Sequence, residues 1–518
     1  MGDFFKKPKP ILLIVVDGLG VAPPGPGNAV TLAQTPVLND HWPKYPHGYL
    51  HASGSNVGLP HGVDGNSEVG HINLGAGKVV FQDLPRIDNA ISNGEFFKNK
   101  FLLNAVAQVK ENNSRLHIIG CVGGGQVHSS LDHLFSLLQF ASKQKLNEEN
   151  VVIHVFTDGM DSPPKSAKVY IEQLEEEMQR QKVGKIGSVV GRYYAMDRDK
   201  RWDRTRKAYE LIAEGKGKKV KNWKEAVDDS YKNGKTDQYL EPYVVVEHDS
   251  PIAGVKDKDS IIFFNFRPDR AIQLSQAFDK DDFDGWKIEK KPKVYFAGMT
   301  EYALDFPKNI AFPPEEIKNP IGKVISDNNL RQLRIAESEK FPHVTYFFNG
   351  GNQKVYPGED RIEVPSPRNI ATYDQVPEMS IEKVVNTIIK KIDEDIYDLI
   401  VVNLANADMV AHTGMLEATI KAMEIVDKYI GILTQKVLDK DGAVFMTADH
   451  GNAEELVNLQ TGDIDTKHST NPVPFVVVKK GLDTRELSIG ILADVAPSIL
   501  AMMGIQKPIE MTGRNLLV

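Results

Sequence analysis

Three aspartates and three histidines border short apolar runs, where a parallel sheet would present polar side chains to a ligand. Alone, such an aspartate most often caps a helix and such a histidine is a satisfied polar residue, but six together exceed what capping requires. Asp408 and His412 are four residues apart, so on a helix they share one face and can bind one ion. Oxygen and nitrogen donors without thiolates suit Mn²⁺, Zn²⁺ or Mg²⁺. The set is Asp17, Asp408, His412, Asp449, His450 and His468.

A serine in the segment DGNSEVGHINLGAG, residues 64–77, fits two interpretations. Asn66 or Ser67 can cap a helix that begins here, because a short polar side chain accepts a hydrogen bond from an exposed backbone N–H. The same N–H groups, approached closely through the glycines, can instead bind phosphate. Two divalent ions nearby would polarise phosphoryl oxygens and stabilise a serine alkoxide. On the second interpretation, Ser67 coordinates one ion and attacks phosphorus.

Arginines gather after apolar runs in the middle of the chain, in GRYYAMDRDKRWDR and NFRPDRA. Guanidinium groups bind phosphate or carboxylate through two hydrogen bonds, so a ring of them suits a small doubly anionic substrate. We expect Arg198, Arg267 and Arg270 to bind substrate, because they follow strands in an acidic protein. Arg201 and Arg204 are expected on a solvated basic face. The later segment RIAESEKF contributes Arg334 and Lys340.

The elements that must position these residues follow from the apolar runs. Runs that are apolar throughout, rather than alternating, are typical of strands covered on both faces, as in the parallel sheets of α/β proteins. Amphipathic segments at 131–143 and 380–396 predict helices between such strands. The fold class is therefore α/β. The predicted strands are 11–16, 116–120, 151–156, 186–190, 260–266, 293–298, 398–404, 443–448 and 474–479.

The length of the chain predicts more than one domain. A chain of 518 residues exceeds the size at which one hydrophobic core usually keeps growing, so we expect two domains. Polar, proline-bearing segments at 81–88 and 311–322 are the expected crossings between them. If the chain leaves one domain at the first crossing and returns at the second, the middle is an inserted domain. The reactive residues of the two outer parts must then converge.

Composition argues against several classes of protein. The formal net charge of -8 argues against nucleic acid and anionic lipid as partners. No run approaches the ~18 apolar residues of a membrane span, and the first ten residues lack the apolar core of a signal peptide. The single cysteine, Cys121, rules out an internal disulfide and is expected to be buried at a strand end. We therefore expect a cytoplasmic protein that binds neither nucleic acid nor membrane.

Several long motifs together resemble one family. They are DGNSEVGHINLGAG, GRYYAMDRDKRWDR, NFRPDR, RIAESEK, TADHGN and HSTNPVPF. From Asp17 to the closing EMTGRNLL, the chain resembles the cofactor-independent (2,3-bisphosphoglycerate-independent) phosphoglycerate mutases of the alkaline phosphatase superfamily. The resemblance implies two α/β domains. One is a split, metal-binding, alkaline-phosphatase-like domain at 1–82 and 318–518, and the other is an inserted, substrate-binding transferase domain at 83–317.

The resemblance also implies a reaction and its residues. It implies that 3-phosphoglycerate and 2-phosphoglycerate are interconverted through a phosphoserine on Ser67, with two divalent metal ions and without 2,3-bisphosphoglycerate. Mn²⁺ is the expected metal, with Mg²⁺, Co²⁺ or Zn²⁺ as alternatives, and a monomer is expected. One ion would be held by Asp17, Ser67, Asp449 and His450, and the other by Asp408, His412 and His468. The small-molecule substrate would be held by His128, Asp161, Arg192, Arg198, Arg267, Arg270 and Lys340, with Asp161 relaying a proton and Lys340 near the phosphate at the domain junction.

The central segment departs from the family pattern at three positions. Gly124 stands where aspartate is usual, Gln126 where a small residue or asparagine is usual, and Met160 where an arginine contacts substrate. Two other functions stay open at this point. A phosphatase or a mutase for another phosphoester would need fewer basic residues in the middle of the chain. A metal-binding scaffold without catalysis would have no need of Ser67.

Overall fold

The computed structural model describes residues 7–458 and 461–518 and divides into two compact units. The first unit combines the chain up to Gln82 with Glu315–Val518, and the second is Asp83–Pro314. The units therefore divide at 82/83 and 314/315, whereas the sequence placed the second boundary at 317/318. The second boundary lies before the predicted one for a local reason. Pro313 and Pro314 directly follow the strand Asn309–Phe312, and proline cannot continue a hydrogen-bonded ladder.

The first unit is built on a mixed sheet with apolar central strands. Ile11–Val16 lies between Leu399–Leu404 and Ala443–Thr447 and runs parallel to both. All residues of these three strands are buried, so both faces of the sheet are covered. The strands follow one another across the sheet in the order Glu359–Val364, Gln332–Glu337, Leu399–Leu404, Ile11–Val16, Ala443–Thr447, Val473–Val478, His47–His51 and Gly490–Ile491.

The strand Val473–Val478 is antiparallel to both of its neighbours, so the prediction that it belongs to a parallel set is wrong. The sequence pattern is insensitive to direction, because a strand buried on both faces is apolar throughout in either orientation. Thr447 pairs with Phe475, so the start of this strand lies beside the end of Ala443–Thr447. The reversal therefore brings the segment before the strand, which contains His468, to the edge where the parallel strands end.

Helices of the first unit cover this sheet. The helix predicted at 380–396 is observed as Ile381–Asp393, and its buried apolar residues recur every three or four positions, as a helix packed on a core requires. The helices are Ala29–Leu32, Pro36–Lys44, Ser67–Ala76, Ile321–Asp327, Ile381–Asp393, Asn406–Ala411, Leu416–Asp439 and Val495–Met502. A turn of π-helix at His343–Phe347 packs against Ser67–Ala76.

The second unit has its own, largely parallel sheet. Cys121 lies buried near the end of Leu116–Val122, as expected, and burial raises the pKa of its thiol to about 12. Tyr243–Glu247 runs antiparallel to Lys185–Gly191. The strand order is Asn309–Phe312, Tyr295–Thr300, Ser260–Phe263, Leu116–Val122, Val151–Thr157, Lys185–Gly191, Tyr243–Glu247 and Lys218–Val220, with Ser250–Pro251 paired to Tyr243–Glu247.

The helices of the second unit alternate with its parallel strands. Leu131–Lys143 spans the residues that the sequence predicts, and the Ser130 side chain caps its N-terminus. The helices are Asp83–Ser92, Lys100–Asn112, Leu131–Lys143, Ala167–Gln181, Arg192–Ala195, Trp202–Glu214, Trp223–Lys232 and Ile272–Asp279. In neither unit does any helix within residues 7–458 and 461–518 have the length and apolar character needed to span a membrane.

The nine predicted strands are all observed, and the sequence misses mainly short or polar ones. Gln332–Glu337 contains charged residues yet is buried throughout. Its Arg334 lies over the Phe348 ring at 4.5 Å and donates to the Gln332 side chain at 2.6 Å, while its Nε and Nη1 have no hydrogen-bond partner within the described residues and burial lowers its pKa to about 10. The other unpredicted strands are His47–His51, Lys218–Val220, Tyr243–Glu247, Ser250–Pro251, Asn309–Phe312, Glu359–Val364 and Gly490–Ile491.

Two glycines let the helix Ser67–Ala76 approach neighbouring backbone. A Cβ at Gly75 would lie 1.8 Å from the carbonyl oxygen of Phe348, and one at Gly70 would lie 2.6 Å from the carbonyl oxygen of Asp449. Both distances are too short for any side chain. These close approaches fix the helix, and with it Ser67, beside the residues that follow Ala443–Thr447.

Gly75→Ala is expected to destabilise the first unit, although alanine favours a helix by about 1 kcal/mol over glycine. The new methyl group would overlap the Phe348 carbonyl oxygen, and overpacking of this kind costs about 1–3 kcal/mol. A lower melting temperature should appear in a thermal shift measurement. Gly25→Ala is the matched control, because no atom lies within 4 Å of a Cβ there. Equal melting temperatures for the two variants would contradict the close approach.

Candidate functional site

The structure resolves the two interpretations of the segment at 64–77. The helix begins at Ser67, and the Asn66 side chain caps it by accepting a hydrogen bond from Val69 N at 2.9 Å. The Ser67 hydroxyl is therefore not used as a cap. Its Oγ lies 2.9 Å from His450 Nε2 and 3.3 Å from Asp17 Oδ1. Asn66 thus caps the exposed backbone N–H of the helix, and the Ser67 hydroxyl faces a cluster of acidic and basic side chains.

Lys340 lies at the centre of that cluster. Its Nζ donates to Asp17 Oδ1 at 2.7 Å, to Asp408 Oδ2 at 2.7 Å and to Ser67 Oγ at 2.8 Å. Burial opposes the charge of Lys340, but the two aspartates outweigh burial and raise its pKa above the ordinary value. Within the first unit, the structure thus places Lys340 among the predicted metal ligands.

One corner of the cluster combines an aspartate with two histidines. Asp408 Oδ1 lies 3.3 Å from His412 Nε2 and 3.4 Å from His468 Nε2, and the two histidine nitrogens are 3.1 Å apart. Asp408 is buried on the helix Asn406–Ala411, and His412 is the residue that directly follows this helix. The two residues are four apart, as the prediction requires. The Asp408 carboxylate raises the pKa of His412. Backbone carbonyls of Thr466 and Gly65 lie 2.8 Å from the Nδ1 atoms of His412 and His468, so the rings direct Nε2 toward Asp408.

The other corner surrounds Ser67. His450 Nε2 lies 3.4 Å from Asp17 Oδ1 and 3.7 Å from Asp449 Oδ2, and all three residues are fully buried. Burial alone would lower the pKa of His450, but the neighbouring carboxylates, Asp449 first, raise it to about 10. The His450 ring also stacks on His468, with centroids 3.8 Å apart. The two corners are therefore parts of one continuous cluster.

Three residues that the sequence analysis missed hold the cluster in place. His71 Nδ1 lies 2.8 Å from the Ser67 carbonyl oxygen and 3.2 Å from Asp449 Oδ2. Asn403 donates to Asp17 Oδ2, and Asn452 donates to Asp408 Oδ1 at 2.8 Å. A signal existed for two of them. His71 is one helical turn beyond Ser67, and Asn403 is a polar residue inside an apolar strand.

A second cluster lies in the second unit, around Arg192. The buried Arg192 guanidinium donates to Asp158 and Asp161 and lies 3.0 Å from His128 Nε2. His128 Nε2 is also 3.6 Å from Asp161 Oδ2. Burial, and then the charge of Arg192, lower the pKa of His128 to about 4. Three of the predicted substrate residues, His128, Asp161 and Arg192, are therefore in mutual contact.

Asp269 extends this cluster to two further arginines. It accepts hydrogen bonds from Arg198 Nη1 at 2.9 Å and from Arg267 Nε at 3.1 Å. One of its oxygens lies 3.7 Å from His128 Nδ1. Asp269 was missed although it stands inside the motif NFRPDR. Arg270 donates instead to the carbonyl oxygen of Met196 at 3.0 Å.

The remaining basic residues do not all lie where the sequence placed them. Arg201 is exposed, as expected. Arg204 is not on a solvated face, since its guanidinium stacks over the Tyr193 ring at 3.7 Å and lies 3.7 Å from the buried Asp197. Arg334 is fully buried against the Phe348 ring and leaves no accessible atom for an anion, although the sequence groups it with the arginines expected to bind one. An aromatic neighbour, which the arginine spacing does not reveal, accounts for both differences.

The three departures in the central segment have distinct surroundings. A Cβ at Gly124 would lie 2.4 Å from the hydroxyl oxygen of Tyr170, so the larger side chain expected there would collide with this tyrosine. Gln126 has a φ of 50°, a left-handed conformation that asparagine adopts more readily. Met160 is 54% exposed, next to Asp161. A longer polar side chain at position 160 would therefore meet no packed core.

Comparisons with known proteins agree with the motifs. The family model described as BPG-independent PGAM N-terminus matches residues 87–304. The 2,3-bisphosphoglycerate-independent phosphoglycerate mutase of Clostridium beijerinckii is 47% identical over 511 residues, covering 98% of this chain and 99% of the relative. The enzyme named 2,3-bisphosphoglycerate-independent phosphoglycerate mutase 1 of Methanosarcina acetivorans is 49% identical over 512 residues, with the same coverage.

A solved structure gives the same result. The crystal structure of Leishmania mexicana phosphoglycerate mutase at low cobalt concentration has 30% sequence identity and a TM-score of 0.55, and the match covers 98% of each chain. Relatives of nearly half identical sequence match almost the full length of both chains. The chain therefore belongs to the family of 2,3-bisphosphoglycerate-independent phosphoglycerate mutases.

Proposed function

We propose that the chain interconverts 3-phosphoglycerate and 2-phosphoglycerate through a phosphoserine on Ser67, assisted by two divalent metal ions. The observation that carries the proposal is the position of Ser67 Oγ, 2.9 Å from His450 Nε2 and 2.8 Å from Lys340 Nζ. A hydroxyl at a helix N-terminus, beside groups that neutralise negative charge, is well placed to attack phosphorus. Family membership supports the substrate, since the relatives are phosphoglycerate mutases.

The donors of the first unit fit divalent metal ions. Ligand atoms within 4.8 Å of one another occur in the sets Asp408–His412–His468, Asp17–His71–Asp449 and Asp17–Asp408–His450. Within the described residues, the buried Asp449 Oδ2 accepts no well-oriented hydrogen bond, although His71 Nδ1 lies 3.2 Å and His450 Nε2 3.7 Å away, and its lone pairs suit a metal ligand. When bound, the ions would polarise phosphoryl oxygens and lower the pKa of the Ser67 hydroxyl. One ion would be held by Asp17, Ser67, Asp449 and His450, and the other by Asp408, His412 and His468.

The reaction has two balanced halves. In the first, the Ser67 alkoxide attacks phosphorus, the bond from phosphorus to the 3-oxygen of the substrate breaks, and the 3-oxygen takes up a proton from the Asp161 carboxyl group. In the second, the 2-hydroxyl returns a proton to Asp161 and attacks phosphorus, and the bond to Ser67 Oγ breaks, which regenerates the alkoxide. Lys340, which donates to Ser67 Oγ, would stabilise negative charge on the serine oxygen and the transferred group.

The Arg192 cluster of the second unit would hold glycerate during the interval between the two steps of the reaction. Its arginines are paired with Asp158, Asp161 and Asp269, so an anionic substrate would compete with carboxylates already in place. A retained and well-oriented alcohol acts as though present at about 10⁵ M or more, which favours transfer over hydrolysis. The residues proposed to bind are His128, Asp161, Arg192, Arg198, Arg267, Arg270 and Lys340. Action in the cytosol as a monomer, with Mn²⁺ as the physiological metal, stays a prediction.

Replacing the proposed nucleophile tests the phosphoserine. Ser67→Ala is expected to lower mutase turnover by roughly 10⁴-fold or more, because no other group would accept the phosphoryl group. Native protein quenched during turnover should carry a phosphoryl group on Ser67 by mass spectrometry. Ser55→Ala, at an exposed serine, is the matched control and should keep full activity. Undiminished mutase turnover by Ser67→Ala would contradict the phosphoserine, absence of turnover by the native protein would favour the scaffold, and release of inorganic phosphate in place of 2-phosphoglycerate would favour a phosphatase.

Removing metal tests the proposed bimetallic site. Chelator treatment is expected to abolish interconversion, and Mn²⁺ or Co²⁺ should restore it. Elemental analysis of the reconstituted protein should give about two ions per chain. Asp449→Asn and His412→Ala are each expected to lose about one of them, because they remove ligands from different ions. Full activity after chelation, or the loss of both ions in one variant and of none in the other, would contradict the assignment.

Restoring the family arginine tests the substrate site. Met160→Arg is expected to lower the KM for 3-phosphoglycerate by about tenfold or more, because one charge-assisted contact contributes about 1.5–3 kcal/mol. Val169→Arg is the matched control, since Val169 is equally exposed, at 54%, on the helix Ala167–Gln181 of the same unit. It adds the same charge on a helix, outside the segment that contains Asp161. Equal KM values for Met160→Arg and the native protein would place residue 160 outside the substrate site.

A further inference from the structure

A cavity of about 710 Å³ lies in the second unit, apart from every residue used in the proposed reaction. It is bounded by the helix Trp202–Glu214, by residues 255–257 and by the segment 286–292. Its volume falls in the range of about 300–1,000 Å³ that is usual for small-molecule sites. The mechanism gives this cavity no role, so its lining indicates what it could bind.

A buried hydroxyl without a partner lines the cavity. Tyr209 is 1% exposed, and within the described residues its hydroxyl has no hydrogen-bond partner. Such groups are rare in proteins, because burying an unpaired hydroxyl costs free energy. Burial first, and then the charge of Glu214, raise the pKa of this hydroxyl, so it stays protonated and can donate. Tyr209 and Glu214 both line the cavity, so this unpartnered hydroxyl belongs to a residue of the cavity wall.

An aromatic wall adjoins this hydroxyl. The Trp286 ring lines the cavity and meets Tyr209 edge-on, with ring centroids 5.6 Å apart. Tyr209 in turn packs on Phe278 at 4.6 Å, so Tyr209 is held in a rigid aromatic group. A planar apolar ligand gains by packing against such a surface. This wall favours a ligand that contains a ring.

The cavity lining has five basic and four acidic residues, so it carries one net positive charge, and among the described residues two of its lysines lack an ion pair. Within the part of the chain that the structure describes, Lys256 and Lys290 form no ion pair, although both line the cavity. Asp257 accepts a hydrogen bond from the backbone N–H of Lys293 at 2.8 Å. The remaining charged residues of the lining pair with one another as Arg206–Glu210, Lys216–Glu214 and Lys287–Glu289. In a protein with a formal net charge of -8, two free lysines at one cavity indicate an anionic ligand.

We propose that this cavity binds a small molecule that combines a planar aromatic ring with one phosphate or carboxylate group. The ring would pack against Trp286, and the anionic group would accept hydrogen bonds from Lys256, Lys290 and the Tyr209 hydroxyl. The ligand is bound without chemical change. The proposal is independent of the proposed function, because none of its residues belongs to the reaction.

Calorimetric titration of the full chain with phenyl phosphate tests the proposal. The titration is made in saturating phosphoglycerate, so that the catalytic site is occupied. Saturable binding is expected, and inorganic phosphate or phenol should bind at least about tenfold more weakly, because each lacks one half of the recognised chemistry. Benzoate shows whether a carboxylate replaces the phosphate. Absence of saturable binding by both phenyl phosphate and benzoate would overturn the proposal.

Variants locate the binding. Lys256→Gln combined with Lys290→Gln is expected to raise the Kd for phenyl phosphate at least about tenfold while leaving mutase activity unchanged. Tyr209→Phe, which keeps the ring, should raise the Kd severalfold. Lys287→Gln is the matched control, because Lys287 pairs with Glu289, and it should change the Kd by less than about twofold. Binding that survives the double substitution, or that phosphoglycerate abolishes, would place the ligand elsewhere and refute the site.

Discussion

Buried carboxylates at one edge of the first sheet impose the constraint on which the site depends. Asp17, Asp408 and Asp449 are all at most 1% exposed, and unpaired charges at such positions would cost several kcal/mol each. Lys340 and His450 supply compensating positive charge, and divalent ions held by the same donors would do so more fully. The arrangement that stabilises the carboxylates therefore also surrounds the Ser67 hydroxyl with groups that stabilise an oxyanion. Stability and proposed chemistry rest on the same electrostatic interactions.

The second unit shows the complementary arrangement. Arg192, Arg198 and Arg267 are held in place by the carboxylates of Asp158, Asp161 and Asp269. In the proposed function, a substrate with two negative charges would compete with these internal partners for the guanidinium groups. The net acidity of the chain does not prevent anion binding, because the relevant charges are local. Local charge also distinguishes Lys256 and Lys290 from the neighbouring Lys216 and Lys287, because within the described residues only the latter two form ion pairs.

Much of the fold could be predicted because burial leaves a direct signature. Strands such as Ile11–Val16 are covered on both faces, so they read as continuous apolar runs. Gln332–Glu337 could not be found in this way, because it is buried although it carries charges, and its neighbours, such as the Phe348 ring beneath Arg334, are set by the fold. The direction of Val473–Val478 was equally invisible, since hydrophobic pattern carries no polarity along the strand.

By itself, the sequence determined the residue types of the site, their places at strand ends and the family to which the motifs belong. These are local properties, expressed in spacing and composition. Only the tertiary structure decided that Asn66 caps the helix while Ser67 faces His450, and that Lys340 lies among aspartates more than sixty residues away in either direction. It also decided which lysines remain unpaired. Such choices depend on which side chains meet across the fold, and the energy of a buried charge is set by those neighbours and not by its position in the chain.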